Sequence, residues 1–554
     1  MCISRSKIII GIFAAATAVV FVMPPVSAQS TVTPTPGSVI SPIDKPVLQP
    51  VTTQEPSVTQ DEKNKLVPPA SDKKIQVNQF VFVGNSLFDD KVLLGEIADY
   101  LGTSITIEKI YQAADKLQRF YRGQGYLLAS VYVPAQKISS GTVRLEIIEG
   151  RLESVSIEDD LDSYTPKFLI NYFDTSNLGD VISGSVLEEK ILKLNDLPGL
   201  TARAVIVPGN EYGTSGIALK AVEERSSLTL RINNYGRKSL GETRLEAGWL
   251  YVNPFSQGDQ LNLSTILAED SRMTFIRADY DILVNTSGTR TGASISMFDY
   301  EVDTEEINLT GVLEGDGNNF RVFVSHPILR QQKNKLDFSA AIRVSETGES
   351  GSLALSTKTK SIDILDLSLN WQPTHDNGAF SSFEATFSTN FKDNADGTES
   401  DALKGKLTLD YSLIKPFAQT WFVQFAINLV TSDDPLPDVE RYRLGGPGNI
   451  RAYPSAELAG DEGGMLRIDV GKRFNLSGSI NMIVKLFADS GKVERTIPAA
   501  GEKSEESLSG YGAGVLLDFG SRHSLELEVA KPASDLDSSD DRDSQIWLNY
   551  SVRI

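Results

Sequence analysis

Cysteine is almost missing from this chain. Its 554 residues include one, Cys2, and only three histidines: His326, His375 and His523. That scarcity argues against thiolate-held zinc, iron–sulfur clusters, internal disulfides and thiol catalysis, so no metal or cofactor is expected. Basic residues are outnumbered: 53 Lys and Arg face 73 Asp and Glu, for a net charge of −20. A nucleic-acid partner needs a basic face, and none is expected here. No Gly-x-Ser-x-Gly elbow and no His-Glu-x-x-His occurs, and Gly446-Pro447-Gly448 lacks the strand-to-helix setting of a dinucleotide loop. The expectation is that the protein is not an enzyme. Past the N-terminus no window of 18 uncharged apolar residues exists, so a mature chain that crosses a membrane must do so with strands.

The N-terminus reads as an address. Arg5 and Lys7 precede the apolar run Ile8 to Val22, and Val26-Ser27-Ala28 supplies small residues at a cleavage position. Residues 1–28 are therefore predicted to be a secretory signal peptide, and Cys2 leaves with it. Residues 29–74 hold eight of the 24 prolines: Pro34, Pro36, Pro42, Pro46, Pro50, Pro56, Pro68 and Pro69. Proline at that density blocks helix and ladder bonding, which predicts an extended periplasmic linker. The alternative is that part of it occupies a partner site or a pore.

Two small mixed units follow, over 75–152 and 153–224. In the first, Val77, Phe80 and Phe82 make a strand that closes at Gly84-Asn85. Thr106 precedes a helical run of Ile107, Ile110, Tyr111, Ala114, Leu117 and Tyr121, which ends near Gly123 and Gly125. Val143, Leu145 and Ile147 alternate toward Glu149-Gly150. The second unit repeats the plan, with Pro166 opening a helix after Thr165 and a capping box at Ser185 and Glu188. Ala202, Ala204 and Ile206 then form a strand before the Pro208-Gly209 turn. Two consecutive units with one order of elements suggest a tandem repeat.

Gly84, Asn85, Tyr121, Gly125, Tyr126, Pro134, Gln136, Glu149 and Gly150, within Phe80–Asn85, Tyr121–Tyr126, Val133–Gln136 and Ile148–Gly150, resemble a polypeptide-transport-associated (POTRA) domain. The type is that of two-partner secretion transporters. Pro198 and Gly199, in Asn195-Asp196-Leu197-Pro198-Gly199, resemble its second copy. Residue by residue, the ordinary reading of these positions is turn and core. A POTRA sheet with an uncovered edge can also pair with an incoming extended chain through its backbone.

From 225 to 554 the pattern has period two. Leu407, Leu409, Tyr411 and Leu413 alternate with Lys406, Thr408, Asp410 and Ser412. Trp421, Val423, Phe425, Ile427 and Leu429 alternate with Gln424, Ala426 and Asn428. Leu525, Leu527 and Val529 alternate with Glu526 and Glu528, and the chain ends on Ile546, Leu548, Tyr550, Val552 and Ile554. Rows about five deep match a strand of ~9–11 residues crossing a bilayer, with aromatics such as Trp421 and Tyr511 toward row ends. The expected fold is a membrane β-barrel of about 16 antiparallel strands preceded by two α+β POTRA domains. The count itself leans on the resemblance, since 14 to 16 candidate strands are visible.

The glycine- and proline-rich stretch 442–464 stands out. Gly445, Gly446, Ile450, Arg451, Ala452, Tyr453, Asp461 and Gly463 resemble the same family's inward-folded loop, with Ala452 where its Val-Arg-Gly-Tyr/Phe motif carries glycine. An arginine inside a barrel needs a partner. Phe487-Ala488-Asp489-Ser490-Gly491 resembles the family's acidic strand motif, and alternation from Ile480 puts Asp489 on the lumen face. An Arg451–Asp489 pair that pins the loop is predicted; the alternative is a structural tie with no part in transport.

By resemblance the chain is an outer-membrane translocase of a Gram-negative bacterium, with its POTRA domains in the periplasm. It would capture one large unfolded exoprotein (adhesin, cytolysin or haem-related) and secrete it through the barrel. Outer-membrane lipid and the barrel-assembly machinery that inserts it would be its other partners. The rivals are an outer-membrane insertase of the same superfamily and a nutrient channel or porin.

Overall fold

The computed structural model describes Thr35, Pro36 and residues 74–554, apart from 127, 139, 158, 174–178, 182, 355–358, 391–402 and 499–501. The predicted signal peptide, and all of the predicted linker except Thr35, Pro36 and Lys74, lie outside those residues.

The first domain runs β1 (Lys74–Gln76), β2 (Gln79–Val83), α1 (Asp90–Glu96), β3 (Ser104–Thr106), α2 (Ile107–Gly123), β4 (Ser130–Tyr132) and β5 (Thr142–Ile148). Its main sheet has the order β2-β5-β4, with β2 and β5 parallel. Ile110, Ala114, Leu117 and Tyr121 recur at helical spacing, so α2 lays one stripe on Phe80, Phe82, Val143 and Leu145. Each large side chain buried this way contributes about 1.5–3 kcal/mol. The second domain repeats the plan: β6 (Arg151–Ile157), α3 (Pro166–Ile170), α4 (Gly184–Asn195), β7 (Leu200–Pro208) and β8 (Thr214–Glu223), in the order β6-β8-β7.

Two expected boundaries move. The second domain starts at Arg151 rather than 153, because β6 leads straight out of β5 and Leu152 is part of the second core. The helix expected to begin at a Ser185–Glu188 capping box begins at Gly184, with Ser183 at its cap. The Gly184 N–H donates across the domain boundary to the Gly125 carbonyl at 2.7 Å, so a neighbouring domain satisfies a group that a side chain was expected to satisfy. Thr165 behaves as predicted: its hydroxyl accepts from the Phe168 N–H, with Pro166 in the first turn.

The barrel strands are β9 (Ser226–Asn233), β10 (Arg244–Val252), β11 (Gln260–Ala268), β12 (Met273–Leu283), β13 (Arg290–Glu301), β14 (Glu314–Arg330), β15 (Asn334–Ser350), β16 (Lys360–Pro373), β17 (Phe380–Asn390), β18 (Lys406–Phe417) and β19 (Trp421–Ser432). After a loop containing β20 (Tyr442–Leu444) and β21 (Leu458–Gly460) come β22 (Glu462–Ser477), β23 (Ile480–Glu494), β24 (Glu505–Phe519), β25 (His523–Pro532) and β26 (Gln545–Arg553). The strands other than β20 and β21 form a closed antiparallel barrel of 16 strands, sealed where Asn549–Arg553 pair with Asn233–Thr229. Closure removes the unpaired edges that hydrocarbon does not tolerate.

The barrel is inside out relative to a soluble protein. Leu486, Ile276, Ile546 and Leu548 are exposed on its outer wall, while Asp366, Asp469, Asp489, Glu528 and Arg244 are buried within. A contiguous apolar exterior around a charged interior is stable only in a bilayer. Because β8 leads directly into β9, one end of the barrel faces the POTRA domains and the other carries the long loops. The second domain is docked on the near end: Asn253 donates to the Ser163 hydroxyl at 2.8 Å, the Thr165 N–H to Gln257 at 2.8 Å, and Arg330 to Asp196 at 2.7 Å.

Candidate functional site

The long connection between β19 and β22 folds into the barrel. It spans Asp433 to Asp461, so the predicted range 442–464 is corrected at both ends. Gly463 and Gly464 belong to β22, whose alternation runs through them, and the loop begins just after Ser432. Its two limbs pair as a hairpin through β20 and β21, with Tyr442 opposite Gly460 and Leu444 opposite Leu458. Asp461 is buried at the base and accepts the N–H groups of Leu436 and Thr496, both at 2.8 Å.

The tip is a compact turn. Gly445 and Gly446 have φ of +105° and +104°, a region open to glycine and costly for other residues. The Gly446 N–H donates to the Tyr453 carbonyl at 2.9 Å, and Asn449 closes the turn onto Arg443 at 2.7 Å. Ala452 does not have positive φ, so alanine at this position carries no backbone strain. Ile450, Ala452 and Tyr453 are buried in a core shared with Phe487, Leu508 and Ala530 of the wall.

That turn delivers Arg451, whose side chain is 0% exposed. Nε and Nη2 donate to the two Asp489 carboxylate oxygens at 2.9 and 2.7 Å. Nη2 and Nη1 donate to Asp469 at 2.5 and 3.2 Å, and Nη1 to Glu528 at 3.1 Å. All five guanidinium donors are thereby used, which lowers the cost of taking the charge out of bulk water. The guanidinium also lies 3.5 Å from the Phe487 ring centroid, and Trp547 donates to the Arg451 carbonyl at 2.7 Å. Lys485 bonds Glu528 at 2.8 Å, and Arg467 lies 3.8 Å from Asp489, so the surplus acidic charge is offset.

The structure thus brings Arg451 and Asp489 together and adds Asp469, Glu528 and Trp547, which sequence reasoning missed. It also missed two further ties. Glu440, on the first limb, is bonded by Arg343 of β15 at 2.7 Å and by Lys406 of β18. On the second limb, Arg237 donates to the Ser455 and Ala456 carbonyls at 3.1 and 2.9 Å. Of the predicted linker, Thr35 rests against the first limb: its hydroxyl donates to Asp438 at 3.0 Å and accepts from Arg443 at 3.2 Å.

A sequence signal for the site lay in β24. Gly510, Gly512 and Gly514 alternate with the lipid-facing Tyr511 and Ala513 and present a bare strip inward. Gly510 stands opposite Asp489 and Gly512 opposite Phe487. The strip leaves room for the arginine and its partners.

The POTRA motif positions lie apart from this site and, except for Gly125 with its bond to Gly184, act within their domains. Glu149 accepts the Ser86 and Leu87 N–H groups at 2.7 and 2.8 Å, the Ser86 hydroxyl, and the Tyr121 hydroxyl at 3.2 Å. Burial first, and then the Glu149 charge, pushes the Tyr121 pKa above the ordinary tyrosine range. Asn85 donates to the Phe88 carbonyl at 3.0 Å in the turn after Gly84, and Tyr126 packs edge-on against Phe88 and Tyr121. Beyond Pro134, the Gln136 amide bonds both backbone groups of Arg144, at 2.7 and 2.8 Å. Gly150 leads into β6, while Tyr164 donates to the Pro198 carbonyl at 2.7 Å and Gly199 accepts from the Glu224 N–H at 2.8 Å. Glu149→Ala is expected to lower the stability of the first domain by about 2–4 kcal/mol, since it strands two backbone donors, and Glu149→Gln by about half as much. Urea titration of the periplasmic region measures both.

Comparisons with known proteins agree with this geometry. The profile of the family described as haemolysin secretion/activation protein ShlB/FhaC/HecB matches residues 213–517, and a ShlB-type POTRA profile matches 75–150. The chain is 24% identical over 487 residues to the heme/hemopexin transporter protein HuxB of Haemophilus influenzae (strain 86-028NP), covering 83% of this chain and 84% of that one. It is 22% identical over 466 residues to the hemolysin transporter protein HpmB of Proteus mirabilis, covering 81% and 80%. In fold it resembles CdiB from Escherichia coli, with a TM-score of 0.69 at 18% identity, over 88% of this chain and 93% of that one. With more than half its length matched by that profile, the chain belongs to the ShlB/FhaC/HecB haemolysin secretion/activation family of outer-membrane two-partner secretion transporters.

Proposed function

We propose that this transporter takes up one large exoprotein in an extended state on its POTRA sheets and passes it through the lumen past the Arg451 loop. The exoprotein is an adhesin, a cytolysin or a haem-binding protein. HuxB and HpmB are named for heme/hemopexin and for hemolysin, which supports cargo of that kind. The observation that carries the reading is a charged barrel interior closed by a loop whose ties are non-covalent, placed directly beyond a sheet with an open edge. That edge is β7, which among the described residues pairs only with β8, along Leu200–Pro208. Main-chain bonding there is indifferent to cargo side chains, as an unfolded client requires. No step of this route needs a catalytic group or nucleotide, and we assign none; cargo folding outside the cell supplies direction. Outer-membrane lipid surrounds the wall, and the barrel-assembly machinery inserts it.

A photo-crosslinking residue at Arg203, exposed on β7, tests this in cells that express the full-length protein. One large secreted protein is the expected adduct. Many barrel precursors would identify an insertase, and no adduct would favour a simple channel.

A further inference from the structure

The loop is charged at two places, and the two ends are held unequally. Arg451 is fixed to β22, β23 and β25, with Trp547 of β26 behind it. These strands continue from the loop's own second limb. Glu440 is fixed to the stretch of wall on the far side of β19. One carboxylate oxygen accepts from Arg343 at 2.7 Å; the other accepts from Arg343 at 3.3 Å and from Lys406. Arg343 also donates to Asp366 of β16 at 2.7 Å, and Asp366 accepts from the Ser388 hydroxyl of β17 at 2.7 Å. Four consecutive strands, β15 to β18, therefore converge on one loop carboxylate.

Glu440 makes ion pairs from the loop to both β15 and β18. The cluster of Glu440, Asp366, Arg343 and Lys406 is electrically neutral on its own. Its separation would leave Arg343 with Asp366 still beside it, so of the two wall cations only Lys406 would lose its carboxylate. Releasing Arg451 would instead break five hydrogen bonds and take from Asp469 its ion-pair partner, while Glu528 keeps Lys485 and Asp489 keeps Arg467 at 3.8 Å. The first limb also carries the contact with Thr35. Hydrophobic packing of Leu436 and Leu444 near Ile362 and Ile364 joins the same limb to β16 without directional bonds.

We infer that Glu440 is a positioning residue that latches the first limb to the β15–β18 wall, and that the pore opens by release at this latch while Arg451 stays seated. The inference rests on the transport reading above and deepens it. The two anchors then have opposite mutant phenotypes. Loss of the Glu440 latch leaves the pore open more of the time, and loss of the Arg451 anchor disables secretion.

Planar-bilayer conductance of the purified full-length protein reads pore closure without the partner, so its outcome does not depend on the transport reading. Glu440→Gln and Lys406→Met are expected to raise the open-to-closed ratio, by about ten-fold for Glu440→Gln. Heat-modifiable migration shows that each barrel is folded. A closed pore in both folded variants would overturn the latch. Movement is tested separately in cells. The mature chain after predicted cleavage has no cysteine, so Glu440→Cys and Lys406→Cys can be bridged by a bis-maleimide. The bridged double variant is expected to stop secretion, while the unbridged one secretes. Normal secretion with the bridge in place would show that this limb does not move.

Discussion

Arg451→Ala is expected to abolish secretion while leaving a folded barrel. The substitution removes five hydrogen bonds and leaves Asp469, Asp489 and Glu528 converging on an empty position, with only Lys485 and Arg467 as counter-charges. Breaking a buried pair by deleting one partner costs about 3–5 kcal/mol. The lumen is polar and water can partly replace the guanidinium, so the lower end applies. A loss of about 3 kcal/mol from the seated loop still changes its seated-to-unseated ratio by about two orders of magnitude. Arg451→Lys keeps one charge but cannot fork between two carboxylates, and it should secrete poorly. Asp489→Asn keeps an acceptor and leaves Asp469 and Glu528 in place, so its defect should be the mildest. Asp489→Arg sets two guanidiniums face to face and should match Arg451→Ala. Secretion of the partner into the medium, normalised to folded barrel, measures the series. Wild-type secretion by folded Arg451→Ala would reduce the network to a structural tie.

The order of that series depends on residues the sequence showed unequally. Alternation identified the faces of β18, β19, β25 and β26, and it put Asp489 and Glu528 on the lumen side. Alternation fixes the face of a residue but not its height. Asp489, Asp469 and Glu528 meet at one arginine because the stagger of β22, β23 and β25 brings those positions level, and stagger is set by the closed ladder. Glu440 was hidden for a different reason: it lies outside the glycine-rich stretch, in a short turn over Asp438–Glu440, and its partners are separated from it by 97 and 34 residues. Alternation put Trp547 on the face of Asn549 and Ser551, away from the lipid-facing Leu548, but nothing in the pattern tied it to the loop; it stands opposite Glu528 on β25 at 2% exposure. The POTRA elements were legible because their helices and strands are local. The missed helix start at Gly184 depended on a hydrogen bond from the other domain.

Gly510→Ala should reproduce the loop defect without changing any charge. Gly510 faces the lumen on β24 directly opposite Asp489, and a methyl group there would sit 2.2 Å from the Ala452 Cβ. Carbon atoms in contact need about 3.5–4.0 Å, so the tip has to retreat by more than about 1 Å. Arg451 bonds of 2.7 and 2.9 Å to Asp489 cannot stretch that far and remain bonds. Overpacking of this kind costs about 1–3 kcal/mol, and here it falls on the residue next to the anchor. The backbone at Gly510 does not itself demand glycine, since its φ lies outside the left-handed region. The conflict is therefore between two methyl groups, and deleting the other one should resolve it. In Gly510→Ala with Ala452→Gly the nearest loop atom is the residue 452 Cα at 3.6 Å, an ordinary contact. The Lys531 carbonyl at 3.0 Å is then the closest approach, and a shift of a few tenths of an ångström relieves it. Secretion should fall in the single Gly510→Ala variant and return in the double variant, while Ala452→Gly alone secretes normally. That reciprocity distinguishes a seat shaped for the tip from a general loss of barrel stability, which the second substitution would not repair. Equal defects in the single and double variants would show that Gly510 serves β24 itself and not the loop.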